Sequence, residues 1–261
     1  MTQLLQGRVA VITGGAAGFG LVSAEKFVAH GAKVVIADID AEAGRTAQER
    51  LGDAVRFVQT DVRKESDLRE AVNAAVTHFG GLDVMYHNAG TVGTPAGIEE
   101  MAVEQWNAAM DMLLTASMLA VKVSVEPMKA RGGGSIILTS SGAGVRLGGS
   151  GPLAYSTAKS AVLMLGQHSA LKLGKHRIRV NTIVPGAFRT ALWDKHALGS
   201  GMLAENKFAL MQPLPIEGNP RYIADAALFL ASDMSEFVTG VILPVDGGLT
   251  LHRNSHASIE G

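Results

Sequence analysis

The chain of 261 residues contains no cysteine. Disulfides, thiolate catalysis and cysteine-ligated metal are thereby excluded. Neither sign of charge prevails: 23 Lys and Arg stand against 24 Asp and Glu, a formal net charge of −1. No global field therefore favours nucleic acid or an anionic membrane as partner. No uninterrupted apolar run approaches the roughly 20 residues of a spanning helix. Met1 to Gln6 also lacks the apolar core of a secretory signal, so the expectation is a soluble cytoplasmic protein. The eight histidines are scattered, with no pair at metal-ligand spacing on a helix, and no metal site is expected. No repeat, low-complexity tract or linker divides the chain. A 47% apolar content is ample for a core, and residues 1–261 can form a single domain.

What is present is organised around Thr13-Gly14-Gly15-Ala16-Ala17-Gly18-Phe19-Gly20. Before it, Arg8 to Ile12 is a short β-branched run that reads as a buried strand. After it, Leu21, Ala24 and Val28 recur at helical spacing, with Gly31 as a stop. The glycines thus sit in a strand-to-helix turn, where backbone N–H groups at a helix N-terminus can receive phosphate. The spacing is Gly14-xxx-Gly18-x-Gly20, not the commoner G-x-G-x-x-G. A glycine-rich turn alone is weak evidence, since glycine also simply makes turns. The next strand, Lys33 to Asp38, strengthens it: an acid at that strand's end can accept hydrogen bonds from an adenosine ribose diol.

Strands and helices then alternate nearly end to end. Strands are expected at 55–59, 82–86, 134–139, 178–184 and 241–245, and helices at 41–51, 66–79, 100–128, 155–173 and 222–231. This alternation argues for a doubly wound parallel α/β sheet covered on both faces. One irregular stretch, Pro185 to Asn219, follows a strand's carboxyl end, where such sheets bind ligands. It is rich in Met, Leu, Phe and Gly, and residues 186–219 are expected to form a lid over an apolar substrate.

Tyr155 and Lys159, at i and i+4, share one helical face. A phenol ionises near pH 10, and a nearby ammonium favours the phenolate, so the pair can supply a general base. Taken alone the spacing is common and fits an ordinary surface pair. Thr139, Ser140 and Ser141 place hydroxyls at the carboxyl edge of the fifth strand, where one could hold a substrate oxygen beside the phenol. Neither serine has the flanking of a hydrolase nucleophile elbow.

Together these residues resemble the short-chain dehydrogenase/reductase family over roughly residues 7 to 250. The resemblance rests on Thr13-Gly14-xxx-Gly18-x-Gly20, Asp61-Val62, Asn88-Ala89-Gly90, Ser140-Ser141, Tyr155-xxx-Lys159, Pro185-Gly186 with Thr190, and Asp246-Gly247-Gly248. It implies a Rossmann-like sheet of order 3-2-1-4-5-6-7, a nicotinamide cofactor and hydride transfer between alcohol and carbonyl. It also implies, by analogy, a homotetramer built partly through helices near 100–130 and 155–173. Under it, Gly14, Gly18 and Gly20 line the pyrophosphate, Phe19 within the same turn is a further cofactor-binding residue, and Asp38 binds the adenosine ribose. Asp61 and Val62 border the adenine, and Asn88, Ala89 and Gly90 line the cofactor after the fourth strand. Tyr155 is the acid/base, Lys159 lowers its pKa and binds the nicotinamide ribose, and Ser141 polarises the substrate oxygen, with Ser140 as the fallback. Pro185, Gly186 and Thr190 flank the carboxamide.

Charge selects NAD over NADP: Asp38 would repel a 2′-phosphate, and neither Ile39 nor Gly15 offers a cation. Two positions depart from the family pattern. His87 precedes Asn88 where asparagine is usual, and a strand-ending role is expected for it. Leu113, seven residues after Trp106, stands where the family has an asparagine that helps hold a water beside the lysine. A leucine side chain cannot do so, and Ser117 and Asn107 are weak substitutes. The expected activity is NAD-dependent interconversion of a secondary alcohol and a ketone on an apolar or cyclic substrate. The alternatives are an epimerase or dehydratase that retains NAD, and a catalytically weak NAD-binding or scaffold protein.

Overall fold

The computed structural model describes residues 3–146, 151–188 and 212–251. Seven strands form one sheet: β1 (Val9–Thr13), β2 (Lys33–Asp38), β3 (Val55–Gln59), β4 (Val84–His87), β5 (Gly134–Thr139), β6 (Ile178–Pro185) and β7 (Ile242–Val245). Their order is β3-β2-β1-β4-β5-β6-β7, and every pair is parallel. The helices are α1 (Gly18–Ala29), α2 (Ala41–Leu51), α3 (Glu65–Phe79), α4 (Val103–Met110), α5 (Ala116–Ala130), the short α6 (Gly142–Val145), α7 (Leu153–Leu173) and α8 (Pro220–Ala231). This is the Rossmann-like arrangement that the alternation of elements and the motifs led us to expect.

The central strands read as continuous apolar runs because both faces of the sheet are covered. Alternate residues serve opposite sides. Val9, Val11, Met85 and Ile136 pack with Leu68, Val72, Leu119 and Val162 from α3, α5 and α7. Ala10, Ile12, Val34, Ile36 and Ile137 pack with Phe27 of α1 and Ile223 and Ala227 of α8. β1 lies between β2 and β4, so the chain's path reverses there. The crevice at the carboxyl ends of β1 and β4 is where an open α/β sheet binds its ligand.

Local chemistry sets the boundaries. Asp40 caps α2, its Oδ1 accepting the N–H of Glu42 and Ala43 at 3.1 and 3.0 Å. Asn219 caps α8 through the N–H of Arg221 at 3.0 Å, with Pro220 in the first turn. Gly80 ends α3 in the left-handed region at φ +89°.

The 100–128 stretch differs from the single uniform helix expected. It starts at Val103, continues through Pro127 to Ala130, and widens to a π segment at Asp111–Thr115. Pro127 falls in the last turn, so losing its N–H costs only the bond to the Val123 carbonyl. Val103–Ala130 is long and apolar enough to cross a bilayer, but half of its most apolar window is buried within the molecule. It is a core helix.

Candidate active site

The glycine turn has the form a bound pyrophosphate needs. Gly14 sits at φ +62° and Gly18 at φ +52°, the left-handed region that glycine adopts at no steric cost. A Cβ on Gly14 would lie 2.9 Å from Ala89 Cα, and one on Gly20 would lie 2.1 Å from the Gly14 carbonyl oxygen. The backbone is therefore packed against the loop after β4 as closely as atoms allow. Ala17, at the capping position before α1, offers no side-chain cap, and no acid stands in the helix's first turn. Its leading N–H groups remain available to an anion, with the helix dipole behind them. These residues fit the pyrophosphate of a dinucleotide.

Asp38 ends β2 beside this turn. Its Oδ2 accepts the Ala16 N–H at 3.0 Å and its Oδ1 the Asp40 N–H at 3.1 Å. The carboxylate is thus fixed in place with lone pairs to spare. The adjoining groove is lined by Ala16, Asp40, Glu42, Thr46 and Arg50, and Arg50 is paired with Glu25. Asp61 follows β3; its two oxygens clasp the Arg63 guanidinium at 2.9 and 2.8 Å, and those bonds hold its carboxyl below the usual range. Val62 beside it is buried in the core.

Asn88 Nδ2 donates to the carbonyls of Thr13 and Gly14 at 3.3 Å each, locking β4's loop to the glycine turn. Thr13 Oγ1 accepts the N–H groups of Asn88 and Ala89 at 3.1 and 3.2 Å. In the sequence Thr13 reads only as the start of the motif. A hydroxyl directly before Gly14 is the one local signal, and its partners are some 75 residues away. Phe19 does not simply line the turn: its ring meets Phe188 edge-on, 5.1 Å between centroids. This contact ties the turn to the chain after β6.

The β5–α7 region brings the hydroxyls, the phenol and the ammonium together. Ser140 is buried, and its Oγ donates to the Lys159 carbonyl at 2.6 Å. It is thereby committed to holding α7. Ser141 instead caps α6, accepting the Ala143 N–H at 3.2 Å, and its hydroxyl is near enough to the Tyr155 phenol to favour the phenolate. The strand's alternation thus separates two serines that spacing alone leaves equivalent. Lys159 is 4% exposed; its Nζ donates to the Thr139 carbonyl at 2.7 Å and lies 5.9 Å from the Tyr155 ring centroid.

Burial dominates the protonation of both groups. It raises the Tyr155 phenol above its ordinary value, partly offset by the nearby Ser141 hydroxyl, and pushes Lys159 down to about 8. Lys159 does not lower the phenol, because its ammonium is turned to the Thr139 carbonyl. Leu113 lies in the π segment, 1% exposed, and its carbonyl accepts the Ser117 hydroxyl at 2.6 Å. Ser117 is therefore taken up by the helix.

Pro185 closes β6, and Gly186 donates its N–H to the Val245 carbonyl at 3.1 Å. A Cβ on Gly186 would lie 2.6 Å from Asp246 Cα, which explains why small residues meet here. Phe188 pairs with Gly218 in an isolated bridge, so the two ends of the expected lid stretch are joined. Thr190 and most of the 186–219 stretch lie outside the described residues. Among the described residues, no cluster of His, Asp or Glu could hold a metal ion.

Fold and site define a dinucleotide-dependent oxidoreductase class. A family model described as enoyl-(acyl carrier protein) reductase matches residues 14–250. The chain is 38% identical over 252 residues to the 2,5-dichloro-2,5-cyclohexadiene-1,4-diol dehydrogenase of Sphingobium indicum, covering 95% of this chain and 98% of that one. It is 39% identical over 256 residues to the trans-4-hydroxycyclohexanecarboxylate dehydrogenase of Sinomonas cyclohexanicum, covering 95% and 94%. The structure of a short-chain type dehydrogenase/reductase from Mycobacterium ulcerans superposes with a TM-score of 0.89 at 33% identity, covering 97% of this chain and 92% of that one. The chain belongs to the short-chain dehydrogenase/reductase family and is an oxidoreductase acting on CH–OH donors. A nicotinamide dinucleotide is the cofactor such membership implies.

Proposed function

We propose that this protein is an NAD-dependent dehydrogenase that interconverts a cyclic secondary alcohol and its ketone. The observation that carries the reading is the assembly of Ser141, Tyr155 and Lys159 at the carboxyl edge of β5, with Lys159 beside Gly90 on the loop that packs against the glycine turn. Bound NAD supplies the hydride acceptor. Gly14, Gly18 and Gly20 hold its pyrophosphate, Asp38 its adenosine ribose, and Asp61 and Val62 border its adenine. Asn88 to Gly90, Pro185 and Gly186 line the nicotinamide half, with Thr190 as a further contact.

Ser141 donates a hydrogen bond to the substrate oxygen and orients it towards the phenol. In oxidation Tyr155 Oη takes the alcohol proton; in reduction it returns that proton to the forming alkoxide. The burial-raised phenol pKa keeps Tyr155 protonated, ready for the reductive direction. Oxidation requires its ionisation, and the Lys159 ammonium, 5.9 Å from the ring centroid, is a cation placed to favour the phenolate. Two relatives named for alcohols on six-membered rings support the substrate class, as does the apolar 186–219 stretch.

The NAD preference rests on the fixed Asp38 carboxylate and on Asp40 and Glu42 in the adjoining groove. The Asp38→Arg variant is expected to raise the ratio of NADP to NAD efficiency (kcat/KM) at least about tenfold, a difference of about 1.4 kcal/mol. Preference for NADP in the unmodified protein would overturn the assignment. We also propose a homotetramer through α4–α5 and α7, whose Val103, Met118, Met164 and Leu171 are exposed. Light scattering that reports a monomer would exclude it.

The test of the reaction is NADH formation across linear and cyclic secondary alcohols. Turnover that favours ring substrates supports the reading. NAD that copurifies and is not consumed favours an epimerase or dehydratase. Cofactor binding without turnover of any alcohol favours a scaffold protein.

A further inference from the structure

Hydrogen bonding around Thr13 fixes the tautomer of His87. Thr13 Oγ1 accepts the N–H of Asn88 at 3.1 Å and of Ala89 at 3.2 Å. Both lone pairs are then in use, so the hydroxyl hydrogen goes to His87 Nδ1, 3.0 Å away. Nδ1 is the acceptor, and the ring's own hydrogen sits on Nε2. His87 is 2% exposed, and Nε2 is buried with no partner among the described residues. Burial and the charge of Lys159 together push the imidazole down to about 3, so the ring is neutral. A buried N–H donor without an acceptor is unfavourable and rare in native structures.

The surroundings of that donor are specific. His87 pairs with Thr13 on one side and Leu138 on the other. The next residue on β5, Thr139, receives Lys159 Nζ. Three residues beyond His87, the Cβ that Gly90 lacks would lie 3.6 Å from Lys159 Nζ and 3.4 Å from Leu113 Cδ2. Leu113 offers no polar side-chain atom, and its carbonyl already accepts the Ser117 hydroxyl. An ammonium has three hydrogens to donate, and among the described residues Lys159 Nζ directs one, to Thr139. Lys159 is near enough to the neutral His87 ring for its charge to act on it, and the apolar Leu113 side chain borders the same point beside Gly90 as the ammonium does. Water is the acceptor that fits such a place.

We propose that His87 Nε2–H and Lys159 Nζ together hold one buried water, making His87 a positioning residue for the Lys159 ammonium. Its share in catalysis rests on the role given to Lys159 above, but the water site itself does not. A crystal structure that resolves ordered water should show one within hydrogen-bonding distance of both His87 Nε2 and Lys159 Nζ. Nitrogen-15 spectra of the histidine rings, with His87 assigned by its loss in a His87→Gln variant, should show hydrogen on Nε2 at pH 7. A hydrogen on Nδ1, or no water at Nε2, overturns the proposal whether or not any alcohol is turned over.

Kinetically, His87→Leu removes the donor and should lower kcat roughly tenfold while leaving KM for NAD and alcohol within twofold. His87→Gln retains an N–H donor and should recover most of that loss. Equal losses of kcat in both variants, tracking their thermal stability, would show that His87 only supports the fold. Where His87→Leu does not fold, the crystal and nitrogen-15 measurements on the unmodified protein still decide the proposal.

Discussion

At the scale of single residues, the site holds groups whose burial suits chemistry better than stability. Lys159 is the clearest case. The folded chain holds its proton less tightly than the unfolded chain, about 8 against an ordinary 10.5. Between those values the unfolded chain carries more protons, so this group makes stability rise with pH across that window. Below about pH 8 the full burial penalty is present, offset in part by the Thr139 carbonyl. Lys159→Met is therefore expected to unfold at higher denaturant than the parent at pH 7, by about 1–3 kcal/mol. That advantage should shrink towards pH 10. Urea titrations of the cofactor-free proteins at pH 7 and pH 9.5 would check it, and an advantage independent of pH would contradict the assigned cause. Such a trade is what a functional site exacts from a fold.

Residue identity was also where the sequence spoke least evenly. Tyr155 and Lys159 were legible because i, i+4 spacing fixes a shared helical face. Ser140 and Ser141 were not separable, since only the strand's alternation against α7 decides which hydroxyl is spent on the Lys159 carbonyl. The expectation that His87 ends a strand holds, but its tautomer depends on contacts with Thr13, 74 residues away. Spacing carries no such information.

At the scale of elements, the glycine turn makes two separable demands. Gly18 needs only its left-handed backbone, since nothing lies within 4 Å of a Cβ there. Gly18→Ala should cost about 1 kcal/mol and weaken cofactor binding modestly. Gly20 needs space, because its Cβ would meet backbone oxygen at 2.1 Å. Gly20→Ala must displace α1 from β1, so NADH binding followed by fluorescence should be lost even where the chain still folds. Similar behaviour of the two variants would show that the close packing has been misjudged. These glycines were legible because turn chemistry is local. The π segment at Asp111–Thr115, which packs against α7, was not, because its composition continues the flanking helices.

At the scale of the whole molecule, one buried carboxylate joins distant parts of the chain. Asp83, 5% exposed, accepts the Val9 N–H at 2.8 Å and both Arg131 donors at 3.1 Å. It thereby fastens the start of β1 to the end of α5. Asp83→Ala leaves the Val9 N–H buried and unpaired, a loss of about 1–3 kcal/mol. Chemical denaturation should show this loss, while kcat per folded molecule stays unchanged because the site lies at the opposite end of the strands. The sheet itself was legible throughout, since β-branched runs and helical spacing alternate with few exceptions, and strand limits moved by only a residue or two.

In the proposed reaction Tyr155 is the group that moves the substrate proton. The most direct measurement compares NADH formation from NAD and a cyclic secondary alcohol by the parent and by Tyr155→Phe, with NADH binding followed in parallel. Removing a general acid/base lowers turnover by about 10² to 10⁴-fold, so the variant should lose kcat on that scale while binding NADH as the parent does. A variant that turns over alcohol like its parent would contradict the account.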